Sequence, residues 1–227
     1  MSLNAKNVKS NKSRVKQPVL EPAGYPGRLV QVIDFGLQNQ RPFKGEEKPP
    51  ALEIGLTYEL SDEFCVDKDG NVEEDKPRWI SEIIPFHNLS ADKAKSTQRY
   101  YAIDPTEDKG GDFTQLLGMP CTVNIVNNVR DGETYNNVGS LSAIRAKDAA
   151  KLPQLVGEPS FFSLDEPDLE LFNSYPDWIR DKIKGNLNFN GSVLQKALSG
   201  KPAPKDDKKG KDPEPQEGEG NGGDVPW

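Results

Sequence analysis

The sequence predicts a mainly β protein: a small OB-like β-barrel of five or so strands, with helical additions and disordered N- and C-terminal tails. Three observations carry this expectation. Leu52, Ile54, Leu56, Tyr58 and Leu60 recur at a strict period of two, the pattern of a strand with one buried face. Comparable apolar runs occupy 28–37, 78–86, 121–126 and 135–144, separated by turn signatures and one short helical stretch. Both ends of the chain are polar and hold no candidate core. A plain β-sandwich fits the strand pattern nearly as well.

Order is expected to begin near Gly24-Tyr25-Pro26-Gly27, and 28–37 reads as the first strand. Residues 38–50 form a polar loop with three prolines, followed by the strand at 52–60. Lys68-Asp69-Gly70-Asn71 is a hairpin turn signature ahead of the strand at 78–86. Ser90 is expected to cap a helix over 91–101, with Asp92 in its favourable first turn. A helical turn at 113–117 precedes the strand at 121–126. Val129-Arg130-Asp131-Gly132 then turns the chain into the last strand, 135–144. Beyond it, 146–152 is basic and helical, 153–159 is a linker, and 164–172, 178–183 and 193–198 have helical spacing. The chain thus divides into a basic flexible arm (1–22), the barrel (23–150), a helical appendix (151–199) and a disordered acidic tail (200–227).

Charge is distributed unevenly. The total is −7; residues 1–17 carry +5 and residues 200–227 carry −2, which leaves −10 on the body. That acidity opposes nucleic-acid binding, because affinity for phosphates comes from Lys and Arg. The field inside a groove nevertheless matters more than the total. No apolar run approaches the ~20 residues a membrane span needs. The polar, basic N-terminus lacks the apolar core of a secretory leader, so a cytoplasmic location and no membrane partner are expected. Cys65 and Cys121 are too few for a disulfide framework or a zinc cluster, and no metal or cofactor is expected.

Single-stranded nucleic acid is held by exposed aromatics, which stack bases, beside cations, which hold phosphates. Three clusters qualify. Arg41-Pro42-Phe43-Lys44, with Lys48, lies in the long loop after the first strand. Pro77-Arg78-Trp79 opens the third strand. Lys93-Ala94-Lys95 precedes Arg99-Tyr100-Tyr101, and Lys95 and Arg99 share a helix face by their i, i+4 spacing. Phe43, Trp79 and Tyr100 are the expected stacking residues, and Arg41, Lys44, Arg78, Lys95 and Arg99 the expected phosphate contacts. Arg28, Arg130, Tyr135, Arg145 and Lys147 line the rest. Each aromatic has an alternative role in packing.

Enzymatic readings fare poorly, and no catalytic activity is expected. His87 is the single histidine and stands at a strand end. Asp67-Lys68-Asp69-Gly70 resembles a calcium loop, but its glycine comes early and no Glu closes it. Glu46-Glu47-Lys48 lacks the paired strand acid of a metal-dependent nuclease. Neither a Walker pattern nor Gly-x-Gly-x-x-Gly occurs.

The tail is the most specific stretch. Residues 212–227 hold five acids and no base, and close on Asp224-Val225-Pro226-Trp227. This order resembles the C-terminal tip of bacterial and phage single-stranded DNA-binding proteins. Residues 27–37, Pro77-Arg78-Trp79-Ile80, Ser96-Thr97-Gln98-Arg99-Tyr100-Tyr101 and residues 169–185 are similar to a family of tailed-phage proteins associated with single-stranded DNA binding. The resemblance implies an OB-like domain that coats single strands in phage DNA replication and recombination, in the host cytoplasm. It also implies that Asp224, Val225, Pro226 and Trp227 dock partners such as a polymerase, a helicase/primase or a nuclease, and that the acidic tail competes with DNA. The tip departs from the commonest form by ending in Trp instead of Phe. The alternative is a protein–protein adaptor, or a minor phage structural or assembly protein, that binds no DNA. The sequence leaves homo-oligomer formation open.

Overall fold

In the computed structural model, residues 15–200 are described; the basic residues 6–14 and the acidic tip at 224–227 lie outside them. One strand organises everything else. β1 (Gly24–Gln38) pairs antiparallel with β2 (Ala51–Val66) along most of its length and with β4 (Pro120–Arg130) at its first residues. Further along, β1 also takes the three-residue β6 (Ser160–Phe162) in parallel. β3 (Val72–Pro85) extends the sheet beyond β2, and β5 (Glu133–Ser142) extends it beyond β4, for an order β3-β2-β1-β4-β5. Register shifts between Leu29 and Gln31 and between Asp34 and Gly36 let β1 bend between its partners. The outer strands β3 and β5 come together, which leaves a nearly closed, OB-like barrel with a seam between them. No helix among the described residues is long and apolar enough to cross a membrane.

The period-two pattern of β2 puts Leu56, Tyr58 and Leu60 in the barrel interior, where they meet Leu29, Ile80, Val123 and Ile125. Leu52, expected on the same face, is half-exposed at the rim. The other face of β2 is covered as well: Thr57 and Glu59 are buried. Beyond β3, α1 (Lys95–Ile103) and a 3₁₀ turn (Phe113–Leu116) close the barrel end with Tyr100, Ile103, Phe113 and Leu116.

Helix α1 starts later than expected and has no side-chain cap. The Asn88 side chain accepts from the Ser90 N–H, and successive turns, Asn88 to Ala91 and Ala91 to Ala94, use the backbone groups a helix at 91 needs. The last hairpin is tighter than expected. Asp131 and Gly132 both have positive φ (53° and 79°), as a two-residue type I′ turn requires, so β4 and β5 run right up to it.

After β5 come α2 (Ala146–Ala149), α3 (Leu169–Ser174), α4 (Asp177–Lys184) and α5 (Val193–Leu198). The last three do not float. Phe172, Tyr175, Ile183 and Leu194 pack with Phe162 of β6 onto Ile33 and Phe35, the outward face of β1. Asn186 caps this contact by accepting from Leu37 N–H (3.1 Å). Gly36 permits the approach: at φ 67° a Cβ there meets the Asn186 amide nitrogen at 2.3 Å.

A buried ion pair sits behind the seam. Arg99 of α1 is 2% exposed and donates to both oxygens of Glu82 on β3 (2.7 and 3.0 Å) and to the Gly139 carbonyl on β5 (3.3 Å). Tyr58 donates to the same carboxylate at 3.1 Å. Burial, only partly offset by Arg99, pushes the neighbouring Cys121 thiol up to about 12. A thiol reagent is therefore expected to modify Cys65, which is partly exposed, and to reach Cys121 only on unfolding. Two fast-reacting thiols in native protein would contradict this packing.

Residues 15–20 cross one end of the seam. Gln17 exchanges two hydrogen bonds with the Val66 backbone, and Asn136 does the same with the Leu20 backbone. Arg78 donates to the Pro18 carbonyl (2.7 Å), and Leu20 joins the core.

Candidate nucleic-acid interface

No ladder joins β3 to β5 among the described residues, and the gap opens outward as a groove. It consists of two hollows. The first, about 350 Å³, lies between Arg78, Trp79 and Ser81 of β3, Thr134, Tyr135 and Asn136 of β5, and residues 16–20. The second, about 710 Å³, lies between Ser81, Ile83 and Ile84 of β3 and Asn137 and Val138 of β5. Val126, Asn127 and Asn128, Lys95 of α1 and Trp178 of α4 complete its wall. Ser81 borders both hollows, so they form one trough along the seam. Lys16, Arg78 and Lys95 line it; Lys16 is paired with Glu133 (2.9 Å), and the charge of Glu82, the one acid of the lining, is met from behind by Arg99. Arg78 and Lys95 carry no ion pair among the described residues, so they are the cations the trough offers on a body that carries −10.

Trp79 is the best-fixed aromatic of the trough. Strand alternation turns Ile80 inward and leaves Trp79 48% exposed. Its indole N–H donates to Glu59 (3.0 Å), which is 4% exposed and also accepts from Val156 N–H (2.7 Å) and Gly157 N–H (2.8 Å). Gly157 lies close against the ring: a Cβ there sits 2.4 Å from Cζ2. Gly157 and the Glu59 carboxylate therefore hold the indole, and about half of the residue remains exposed. Tyr135, across the seam, is 47% exposed and donates to Glu133 (3.1 Å). Lys16 and Tyr135 together hold the Glu133 carboxyl below its usual range.

Several expected contacts are elsewhere. Tyr100 is fully buried, with its hydroxyl donating to Asp104 (2.9 Å), so it has no face to offer a base. Arg99 is spent on Glu82 and Gly139. Both expectations are corrected for one reason: Ser96, Arg99, Tyr100 and Ile103 form the buried stripe of α1, so Arg99 does not share Lys95's outward face. Arg28 is also corrected. Its guanidinium donates to the carbonyls of Gly118 (2.8 Å), Pro153 (2.9 Å) and Leu152 (3.4 Å), so it acts as a strut for the segment that braces Trp79.

Phe43 is 58% exposed with Lys44 and Lys48 over its ring, 5.5 and 4.8 Å from the centroid. That loop, with Arg41, lines neither hollow. Arg130 stands exposed beside the β4–β5 turn against Asp131 (3.5 Å). Lys93 is exposed just before α1, Arg145 pairs with Asp148, and Lys147 is exposed on α2. Of the expected contacts, the trough gathers Arg78, Trp79, Lys95 and Tyr135. It adds Lys16, Asn127, Asn128, Asn137 and Trp178. Trp178 was legible in principle: Ile179 and Ile183 share the helix face turned to the protein, which puts the intervening tryptophan off that stripe. No protein-family model and no curated protein matches this chain.

Proposed function

We propose that this protein is a non-catalytic single-stranded DNA-binding protein and that the strand lies in the β3–β5 trough. The observation that carries the reading is Trp79: braced by Gly157, its N–H held by Glu59, 48% exposed, and lining one hollow with Tyr135 and Arg78. Bases stack on the two rings, while Arg78 and Lys95 meet the backbone. The sequence-tolerant character of stacking suits a coat protein of phage replication or recombination. Asp224, Val225, Pro226 and Trp227 recruit the replication or recombination partners.

Fluorescence anisotropy with labelled oligo-dT of roughly 30 nucleotides and the same-length duplex tests this, without added metal. Single-strand binding that falls with salt is expected. The log–log slope is near −1.4 if Arg78 and Lys95 each displace counterions at about 0.7 per phosphate. Removing residues 212–227 takes away five negative charges and is expected to tighten DNA binding while abolishing partner recruitment. The −10 body favours the competing reading, a protein adaptor or phage assembly component. No binding by the full chain or by the tail-less chain selects that reading.

A further inference from the structure

The far hollow of the trough contains a second exposed tryptophan, contributed by the C-terminal helices and not by the barrel. Trp178 on α4 is 58% exposed. Its helix is firmly seated: Ile183 is fully buried, Gln38 donates to the Lys182 carbonyl (3.1 Å), and Lys182 pairs with Glu53 (2.6 Å). A large apolar ring held in water on a fixed helix faces a wall of three carboxamides, Asn127, Asn128 and Asn137, with Lys95 beside them. An aromatic face takes a base, amides take base edges, and an ammonium takes a phosphate. The first hollow has the same grammar, with Trp79 and Tyr135 as rings and Arg78 as the cation.

We infer that Trp178 is a second base-stacking platform, so that the strand seated at Trp79 continues along β3 to α4. This rests on the single-stranded DNA reading of the trough. From Arg78 to Ile84 the strand covers roughly 20 Å at ~3.3 Å per residue, in keeping with the ~4–16 nucleotides one OB fold occupies. The C-terminal helices are therefore part of the site, and the barrel without them holds only half of it.

The test uses the full chain and its Trp178→Ala, Trp178→Phe and Trp79→Ala variants, titrated against oligo-dT of roughly 4, 8 and 16 nucleotides. Trp178→Ala is expected to weaken binding of the longest oligonucleotide by about five- to 150-fold, the loss of one stacked base. It also removes most of the gain in affinity with length, while Trp178→Phe keeps both. The thermal transition shifts by no more than a few degrees, because more than half of Trp178 is exposed. Wild-type affinity for all lengths in Trp178→Ala, with Trp79→Ala impaired, overturns the inference and leaves the first hollow as the site. Absence of binding by the wild-type chain overturns both.

Discussion

Glu82→Gln is expected to lower the melting temperature by roughly 6 to 20 °C. Breaking a buried pair by removing one charge costs about 3–5 kcal/mol, and each kcal/mol moves the transition of a chain this size by about 2–4 °C. The Arg99 and Glu82 side chains are 2% and 10% exposed, so little solvent is present to take over the lost partner. The substitution keeps the size of the side chain and one acceptor, and so isolates the charge. Arg99 has a second role that the pair energy does not capture. It donates to β3 through Glu82 and to β5 through Gly139, across a gap no backbone ladder closes. The double variant Glu82→Leu/Arg99→Met is expected to recover much of the melting temperature, because two apolar groups replace two buried charges. It is not expected to restore the tie to β5, which hydrogen exchange along 133–142 reads separately. A melting temperature for Glu82→Gln within a degree or two of wild type would mean that the pair is open to water.

Trp79→Ala is expected to weaken single-strand binding by about five- to 150-fold, the equivalent of about 1–3 kcal/mol for one stacked base. The substitution also deprives Glu59 of one of its three donors, so its effect mixes lost stacking with a loosened brace at Val156 and Gly157. Two companions separate these. Trp79→Phe keeps a ring and loses the indole donor; it is expected to bind between wild type and Trp79→Ala. Tyr135→Ala breaks only an exposed hydrogen bond to Glu133 and is expected to lose affinity with an unchanged melting temperature. Wild-type binding by a chain carrying both alanines would remove the trough from the mechanism.

The barrel was legible because its strands obey simple periodicities. Leu56, Tyr58 and Leu60 follow the alternation of a strand, and Asp131-Gly132 are the residues a tight hairpin demands. β6 was not legible: three residues are too few to show a period, and its parallel seat on β1 is set by the appendix. The candidate site divides in the same way. Trp79 follows from alternation with Ile80, whereas Arg99 misleads, because a guanidinium inside an apolar stripe looks like surface until its partner 17 positions earlier is known. Arg28 misleads for a related reason: its partners are carbonyls, which carry no sequence signal. Total charge was equally uninformative, since it does not show that Arg78 and Lys95 come together along one seam of an acidic body.

The crossing of the seam by residues 17–20 also bears on how the chain is made. Leu20 exchanges hydrogen bonds with Asn136, 116 positions later. At about 5–20 residues per second, a ribosome needs roughly 6 to 23 s to pass from one to the other. Throughout that interval Leu20 has no seat, and the rim around Leu60 and Ile80 stands open. A nascent chain paused before residue 136 thus presents an unpaired strand edge beside an uncovered apolar rim. That is the combination holding chaperones bind and neighbouring nascent chains adhere to.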